Sequence, residues 1–462
     1  MNPEELLARF QLDYQGYASA NAETLEALSK ALTAGSGVDA ASYTGGRALT
    51  PESLDTTLVN ILFQSDEARL FQRIKKNPVK SVIHQWDVRT EVGADDGAWV
   101  GEGGTSQQTD QTIARKFVQA KYLQTQRQVT LQAAASNMIE NAINLEVNAG
   151  MLWLIRNIEK SLWNGNSTNF PLQPDGMDAQ IDSNLVFDLR GADATGKSFE
   201  DKLNEMAAAI RQHYGKPTTL FSSVPVARDI QYNIRDRVRF NAGSNPALSG
   251  VSRTYPSIFG DFELVDDIFI TEGGPGVTGA LSSLIPTVPT ISSAAAASGT
   301  DGKFTAADAG TYYYGIVASN QYGDSVVVNT ASVTIAATNH VAIGVTAGAT
   351  VGTAYKVYRS KIGGSTADMR YMFTVPYASS PQTITDLNSY LPGCSSVYLL
   401  TMDPLYAAIE WEQFLPAMRF PLYPTASAVY PFLMLLFGAL AVLKPVQHAR
   451  LINVQPSNLG WF

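Results

Sequence analysis

The feature that most constrains this chain is residues 79–163, where a strand-like alternation runs directly into a long helical repeat. Apolar and aromatic residues occupy every second position over 82–88, and a similar alternation returns over 113–131. Such alternation indicates two paired β-strands. The glycines within 93–104 allow backbone angles that other residues avoid. The pattern therefore predicts a β-hairpin with a glycine-rich tip.

The predicted hairpin has two interpretations. A strand of about 14 residues rises roughly 48 Å at ~3.4 Å per residue, which is long for a compact domain. Since a lone hairpin is not stable in water, either it projects to contact a neighbouring subunit or its strands lie inside a large sheet. Trp99 favours the projecting arm, because an aromatic side chain in a glycine-rich tip has no core of its own chain to enter.

The helical repeat follows the hairpin. Apolar residues from Met138 to Leu162 recur at spacings of three and four, which is typical of one face of an amphipathic helix. Ser136 is the predicted N-cap, and Asn164 with Gly165 is the predicted stop. The 28 residues from Ser136 to Trp163 would form a helix roughly 42 Å long.

Composition excludes several classes of protein. The chain is 45% hydrophobic with a net charge of -9, which argues against a dedicated nucleic-acid binder that depends on basic patches. The single cysteine, Cys394, rules out an internal disulfide and favours a reducing compartment. The start of the chain shows no secretory signal pattern. The apolar run 432–443 is shorter than the ~20 residues that span a bilayer, so no membrane contact is expected.

Motifs for catalysis and metal binding are missing from the sequence. The 4 histidines are far from one another and from Cys394, and no zinc spacing occurs. Neither a Gly-x-Ser-x-Gly elbow nor a phosphate-binding loop is present. The adjacent acidic pairs Asp95–Asp96 and Asp266–Asp267 are expected to point apart into solvent. We therefore predict that the protein is not an enzyme and has no cofactor.

Composition changes sharply over residues 281–400. This segment has no glutamate, few other charges and many Ser, Thr, Ala, Gly, Val and Tyr residues. Short strand candidates separated by turn residues predict an inserted all-β module. On either side of it, strand and helix patterns mix, which predicts an α+β fold. In the last segment, prolines including Pro416 and Pro431 predict short pieces.

The order of these parts resembles the major capsid protein of tailed double-stranded DNA phages, the Hong Kong 97-type fold. Residues 86–104 look like its extended loop and 137–165 look like its spine helix. Residues 437–445 and 449–454 look like its closing strands.

The inserted segment resembles an immunoglobulin-like or fibronectin type III module. Residues 311–325 look like a late strand with its turn, and 354–360 look like an earlier, central strand. Here the late-type segment comes first in the chain, so the resemblance implies a permuted or incomplete strand order.

The resemblance implies an α+β fold of the Hong Kong 97 type with an inserted all-β immunoglobulin-like sandwich. It divides the chain into an N-terminal arm at 1–78, an extended hairpin loop at 79–130, the spine helix with axial and peripheral domains at 131–280, the insertion at 281–400, and a return to the axial and peripheral domains at 401–462.

By this resemblance the chain assembles into homo-pentamers and homo-hexamers of an icosahedral phage head, a virion component made in the host cytoplasm. The shell would enclose double-stranded DNA without specific contacts. Portal, scaffold and decoration proteins are further implied partners, and the outward module is expected to bind host-surface glycans weakly. Some family members crosslink a lysine to an asparagine between subunits, but no motif here identifies the asparagine.

Contacts between subunits are expected at the hairpin and its return strand. The candidate residues are Trp86, Asp95, Asp96, Trp99, Glu102, Lys116 and Lys121. The alternatives are an encapsulin-like compartment protein, a phage tail or adhesin protein with an immunoglobulin-like module, and a glycan-active enzyme carrying such a module.

Overall fold

The structure is a computed structural model of the chain. It describes residues 65–93, 99–105, 108–135, 141–190, 198–235, 254–270, 284–406, 408–424 and 427–457. These residues fall within one compact unit, Leu62–Phe462. Most of the predicted N-terminal arm, Asp95, Asp96 and the predicted cap Ser136 lie outside the described residues.

Helices of the described residues are numbered in chain order. The α-helices are α1 (Arg69–Arg73), α2 (Leu131–Ala135), α3 (Ala142–Asn164), α4 (Met177–Gln180), α5 (Phe199–Gln212) and α6 (Val224–Arg235). Short 3-10 turns occur at Ser65–Glu67, Ser183–Leu185, Thr366–Asp368 and Pro445–Gln447.

Strands are numbered in the same way. Those before the inserted module are β1 (Lys75–Pro78), β2 (Ile83–Glu91), β3 (Thr112–Gln119), β4 (Lys121–Thr130), β5 (Val186–Asp188), β6 (Thr219–Ser222), β7 (Thr254–Ser257) and β8 (Gly260–Asp266). Those of the module are β9 (Thr290–Ala297), β10 (Gly310–Tyr312), β11 (Tyr314–Asn320), β12 (Gly323–Asp324), β13 (Val328–Asn329), β14 (Val333–Ile335), β15 (His340–Thr346), β16 (Ala354–Arg359), β17 (Arg370–Pro376) and β18 (Gln382–Asp386). The closing strands are β19 (Ser395–Leu400), β20 (Ile409–Pro421), β21 (Val429–Val442) and β22 (Ala449–Val454).

Two sheets and the helices form a mixed α+β body, which confirms the predicted class. The four-stranded sheet has the order β1-β20-β21-β4, and the six-stranded sheet has the order β5-β22-β19-β6-β8-β7. Strand β1 is parallel to β20, although the two are far apart in the sequence. The predicted arm at 1–78 therefore extends too far, because its last residues already form an edge strand of the body.

Helix α3 joins the two sheets. Along its length it packs on β4 and β21 of the four-stranded sheet. At its end Trp163 is fully buried, with its ring 5.1 Å from Phe221 of β6 and 4.7 Å from Tyr398 of β19. Burying an aromatic side chain stabilises a fold by roughly 1.5–3 kcal/mol. One helix thus anchors in the cores of both sheets.

The limits and buried face of α3 differ from those predicted. The helix begins at Ala142, capped by Asn141, whose side chain accepts a hydrogen bond from the Ile143 N–H at 2.9 Å. The separate helix α2 precedes it. The buried face of α3 includes Gly150, Leu154, Ile158 and Leu162, which recur every four residues. The predicted Leu152 and Ile155 are instead half-buried.

Close packing explains why glycine occupies two positions in and after α3. A side chain at Gly150 would lie 3.0 Å from Met434 of β21, so the helix and the sheet approach closely there. The predicted stop at Gly165 is confirmed, but its φ of −60° is one that any residue adopts. A Cβ at Gly165 would instead collide with the carbonyl oxygens of Ser161 and Pro174.

The hairpin is shorter than predicted. Strands β2 and β3 form their own two-stranded sheet, whereas β4 pairs with β21 in the body. The predicted return strand 113–131 is therefore two strands that meet at the buried Ala120. The Ala120 N–H donates to the Val82 carbonyl at 2.8 Å, which closes the base of the hairpin. The predicted end of the hairpin loop at residue 130 is wrong, because β4 is a strand of the body sheet.

The inserted module consists of antiparallel sheets around a separate core. The sheet β18-β15-β9 faces a five-stranded sheet of order β12-β11-β16-β17 with β13 beside β11, and β10 pairs with β14. Its buried side chains include Ile316, Val341, Val357 and Ile384. Strand β19, predicted within the module, instead pairs with β22 and β6 of the body. Its Leu399 and Leu400 are fully buried at the centre of that sheet.

The predicted short pieces of 401–462 are wrong. Strand β20 has 13 residues and β21 has 14. Register shifts between Gln413, Leu415 and Met418 accommodate Pro416, because a bulge removes the need for its missing N–H.

A buried pair of acidic side chains fixes the start of the described chain to α3. Glu159 is fully buried and accepts hydrogen bonds from the N–H groups of Leu70 (2.7 Å) and Phe71 (2.9 Å). Burial, followed by the nearby charge of Asp267, raises the pKa of Glu159 to about 9. Burial also raises the pKa of Asp267, which accepts from the Trp163 indole at 3.0 Å. The two carboxyl groups therefore share a proton at neutral pH.

The prediction for Asp266–Asp267 is thus half correct. The two side chains do point apart, and Asp266 lies 3.4 Å from Arg69 at the surface. Asp267, however, is 1% exposed and belongs to the core.

The module contains a second buried polar group. Arg359 and Asp386 form an ion pair at 2.7 Å, and both are almost completely buried. Asp386 also accepts from the Tyr314 hydroxyl at 2.8 Å, and Arg359 donates to Asn388 at 2.7 Å. Each charge is therefore compensated inside the sandwich, as burial of a charge requires.

Replacing Asp386 with alanine should lower the free energy of unfolding of the module by about 3–5 kcal/mol, because Arg359 would remain buried without its partner. Denaturant unfolding followed by tyrosine fluorescence would measure the loss. Asp301→Ala, at an exposed position of the same module, is the matched control and should change little. Equal stability of both variants would contradict the proposed role of the pair.

Glu159→Gln should flatten the pH dependence of stability. A carboxyl whose pKa rises from 4.5 to about 9 on folding takes up a proton when the chain folds. Its contribution to the free energy of unfolding is therefore fully present below pH 4.5 and is lost as the pH rises towards 9. The slope is at most ~1.4 kcal/mol per pH unit. Glutamine does not titrate, and its amide N–H₂ replaces one acceptor oxygen at a cost of about 1 kcal/mol.

Urea unfolding of the wild type and of Glu159→Gln at pH 6 and pH 8 would check this. An unchanged difference between the two pH values in the variant would show that Glu159 is not the titrating group.

Candidate assembly surface

The hairpin β2–β3 presents one face that none of the described residues of its own chain covers. Ile83, Ile113 and Phe117 lie on this face and are 48%, 54% and 71% exposed. Asp87 and Arg115 face each other between them, with 2.8 Å between the carboxylate and the guanidinium. That hydrogen bond keeps the pKa of Asp87 below its usual value. Apolar side chains around an ion pair are suited to contact with another protein.

The opposite face of the hairpin is attached to the body at its base. His84 Nε2 lies 3.5 Å from the carboxylate of Glu412, which is almost completely buried. Burial raises the pKa of Glu412, against the opposing effect of His84. Asn77 donates to the other oxygen of Glu412 at 3.0 Å. Trp86 stacks on His84 with 5.9 Å between ring centres, so Trp86 packs within its own chain.

The described part of the tip is exposed. Trp99 is 97% exposed and Val100 is 53% exposed. Glu102 is also exposed. The predicted candidates Asp95 and Asp96 lie outside the described residues.

The predicted site residues do not form one cluster. Trp99 and Glu102 belong to the tip, whereas Lys116 lies on β3 opposite Trp86 and is exposed. Lys121 belongs to β4 of the body and donates to the Pro171 carbonyl at 2.7 Å. Lys121 is therefore outside the loop in which the sequence placed it.

Sequence reasoning missed a large cleft between α3, the four-stranded sheet and the module. It has a volume of about 1020 Å³. Arg156 and Lys160 line it from α3, and Lys356 with Tyr358 line it from β16. Loss of water around the Lys160 ammonium, and then the charges of Arg156 and Lys356, lower the pKa of Lys160. The i, i+4 spacing of Arg156 and Lys160 was visible in the sequence, but the approach of Lys356 was not.

Across the described ranges, no His, Cys, Asp and Glu side chains gather in a group of three or more that could hold a metal ion. In the same part of the chain, no helix combines the length and apolar character needed to cross a membrane.

Comparison with known proteins identifies the family. The family model of the SU10 major capsid protein matches residues 32–274. A putative major capsid protein of Enterococcus phage phiEF24C is 24% identical over 93% of this chain and 95% of its own. The major capsid protein of Staphylococcus phage S25-3 is 22% identical over 92% and 94%.

Among solved structures, the capsid of a native GTA particle covers 90% of this chain and 100% of its own, with 8% identity and a TM-score of 0.47. The family model spans more than half of the 462 residues. The chain therefore belongs to the SU10 major capsid protein family and is a phage major capsid protein, a structural component of the virion and not an enzyme.

Proposed function

We propose that this capsid protein forms pentamers and hexamers of an icosahedral head with the Hong Kong 97-type arrangement, and that the hairpin reaches over the next subunit. The observation that carries the proposal is Trp99, a large apolar side chain 97% exposed at the tip of a hairpin whose two strands form a sheet of their own. A buried interface is the environment in which such a side chain contributes most.

The hairpin has the reach for this role. The nine residues of β2 extend about 30 Å at ~3.4 Å per residue. Its uncovered face carries Ile83, Ile113 and Phe117 along the same length. A neighbouring subunit that covers this face would bury both the apolar side chains and the tip.

The body supplies the two domains of this arrangement. In the proposal, the six-stranded sheet with α5 and α6 is the axial domain, and the four-stranded sheet with α3 is the peripheral domain. The net charge of -9 suits a shell that encloses double-stranded DNA without gripping it. Portal, scaffold and decoration proteins are the further partners that such a head requires.

The module is proposed to be an immunoglobulin-like sandwich with permuted strand order that faces outward. Just before β11, the Tyr312 hydroxyl donates to the Asp308 carbonyl four residues upstream at 2.6 Å. This resembles the tyrosine corner that precedes a late strand of that fold. Strand β11 then pairs with β16, the central strand of the resemblance, although β11 comes first in the chain. Glycan binding by the module stays a prediction.

Trp99→Ala should impair assembly while leaving the folded subunit intact. Losing a buried interface aromatic typically costs about 2 kcal/mol or more per contact, so the protein concentration needed for particles should rise at least about tenfold. Its free energy of unfolding should change by less than ~0.5 kcal/mol, since the side chain touches no core. Electron microscopy and sedimentation of purified protein would measure assembly, and denaturant unfolding would measure stability.

Trp163→Ala is the matched control, because the same change in the core should cost about 3–5 kcal/mol of stability. If Trp99→Ala lowered stability as much as it lowered assembly, Trp99 would belong to a core. Wild-type protein that stayed monomeric under every assembly condition would contradict the proposed shell.

An epitope tag inserted between Gly363 and Gly364, in the turn after β16, should be bound by antibody on intact particles. The outward orientation of the module requires this accessibility. Negative-stain images of antibody-labelled particles would show it, and a tag that reacts only after particles are disrupted would place the module inside the shell.

A further inference from the structure

We propose that the cleft between helix α3 and the inserted module receives the acidic hairpin tip of a second copy of this chain. This inference rests on the proposed function, in which the hairpin reaches a neighbour, and it names the surface that the tip reaches.

The cleft has an excess of positive charge at its mouth. Arg156 and Lys160 extend from one wall and Lys356 from the other. Asp324 is paired with Lys356 at 2.7 Å. Among the described residues, no ion pair involves Arg156 or Lys160. Arg156 and Lys160 are therefore outside any ion pair in that part of the chain, and the protein as a whole has a net charge of -9.

The hairpin tip has the opposite charge. Between Thr90 and Ala114 the sequence contains no lysine or arginine, and its acidic residues are Glu91, Asp95, Asp96, Glu102 and Asp110. The described members of this set, Glu91, Glu102 and Asp110, are all exposed. Opposite charges on two surfaces guide them together and disfavour wrong partners.

The cleft also offers apolar contacts for Trp99 and Val100. Its lining includes Leu172, which is 64% exposed, and Tyr390, which is 36% exposed. Tyr358 of β16 and Phe373 of β17 line the module side. Aromatic residues in a partly enclosed, cationic cleft provide both stacking and charge attraction for an acidic, tryptophan-bearing loop.

Hydrogen bonds between the module and the body hold the walls of the cleft in place. The side chain of Asn453 donates to Asp188 at 2.7 Å and to the Ser389 carbonyl at 2.9 Å. It also accepts from the Leu391 N–H at 2.8 Å. Asn453 has a φ of 61°, a left-handed conformation that asparagine tolerates better than most residues. A pre-formed cleft costs less free energy to fill than a flexible one.

Charge reversal tests the contact. Lys160→Glu should raise the protein concentration needed for particles about tenfold, because it places like charges at the contact. Adding Glu102→Lys to the same chain should restore assembly to within about threefold of wild type. Lys361→Glu changes the same charge on the module at a position that does not line the cleft, and it should assemble like wild type.

Cysteine crosslinking gives a second readout that does not depend on assembly yield. Glu102→Cys and Lys160→Cys are made in separate chains and mixed, so a disulfide between them joins two copies. A crosslinked dimer on a non-reducing gel supports the proposal. Both chains also carry Cys394→Ser, because the native thiol lines the same cleft and would compete for Glu102→Cys.

The outcomes separate this inference from the proposed function. If Trp99→Ala impairs assembly but Lys160→Glu does not and no crosslink forms, the tip binds a neighbour elsewhere and the inference is overturned. If none of the substitutions affects assembly, the reaching hairpin fails as well. Rescue of Lys160→Glu by Glu102→Lys would support both.

Discussion

The contact of Trp163 with Phe221 and Tyr398 is the interaction on which the rest of the molecule depends. It lies at the end of helix α3, where the six-stranded sheet meets the helix that also supports the four-stranded sheet. The indole N–H is bound by Asp267, so the ring is fixed in orientation as well as position. The hairpin, the cleft and the start of the described chain are all positioned relative to this helix.

Two sets of buried ionisable side chains among the described residues have their partners in direct contact. Glu159 and Asp267 share a proton and accept backbone N–H groups, whereas Arg359 and Asp386 neutralise each other inside the module. Both groups tie together segments that are distant in sequence. Such groups add little net stability, but removing one member is costly, so they specify one arrangement of the parts. A shell protein benefits because every copy must present the same surfaces.

The sequence predicted local structure well and long-range pairing poorly. The stop at Gly165 and strand β16 are local patterns, and the structure has them where they were expected. The parallel pairing of β1 with β20 could not be predicted from Lys75 and Lys76. These residues form a strand because they pair with β20, which is far away in the sequence. The place of Leu399 and Leu400 could not be predicted either. They end a segment with the composition of the module, but they belong to the body. For the candidate site, exposed Trp99 was predictable, but the meeting of Lys160 with Lys356 depends on how the module docks.

The division of the return strand at Ala120 has a consequence for how a curved shell closes. The hairpin ladder and the body ladder are separate sheets that meet at the short span around Ala120 and Val82, next to the contact of His84 with Glu412. A rotation of about 10° at this hinge would move a tip about 30 Å away by roughly 5 Å, without breaking a hydrogen bond in either ladder. In the proposed shell, neighbours that meet at different angles around five-fold and six-fold axes would then keep the same contact. A small rotation of the hairpin at this hinge would therefore give a larger displacement of its tip, where the tip is proposed to contact the next subunit.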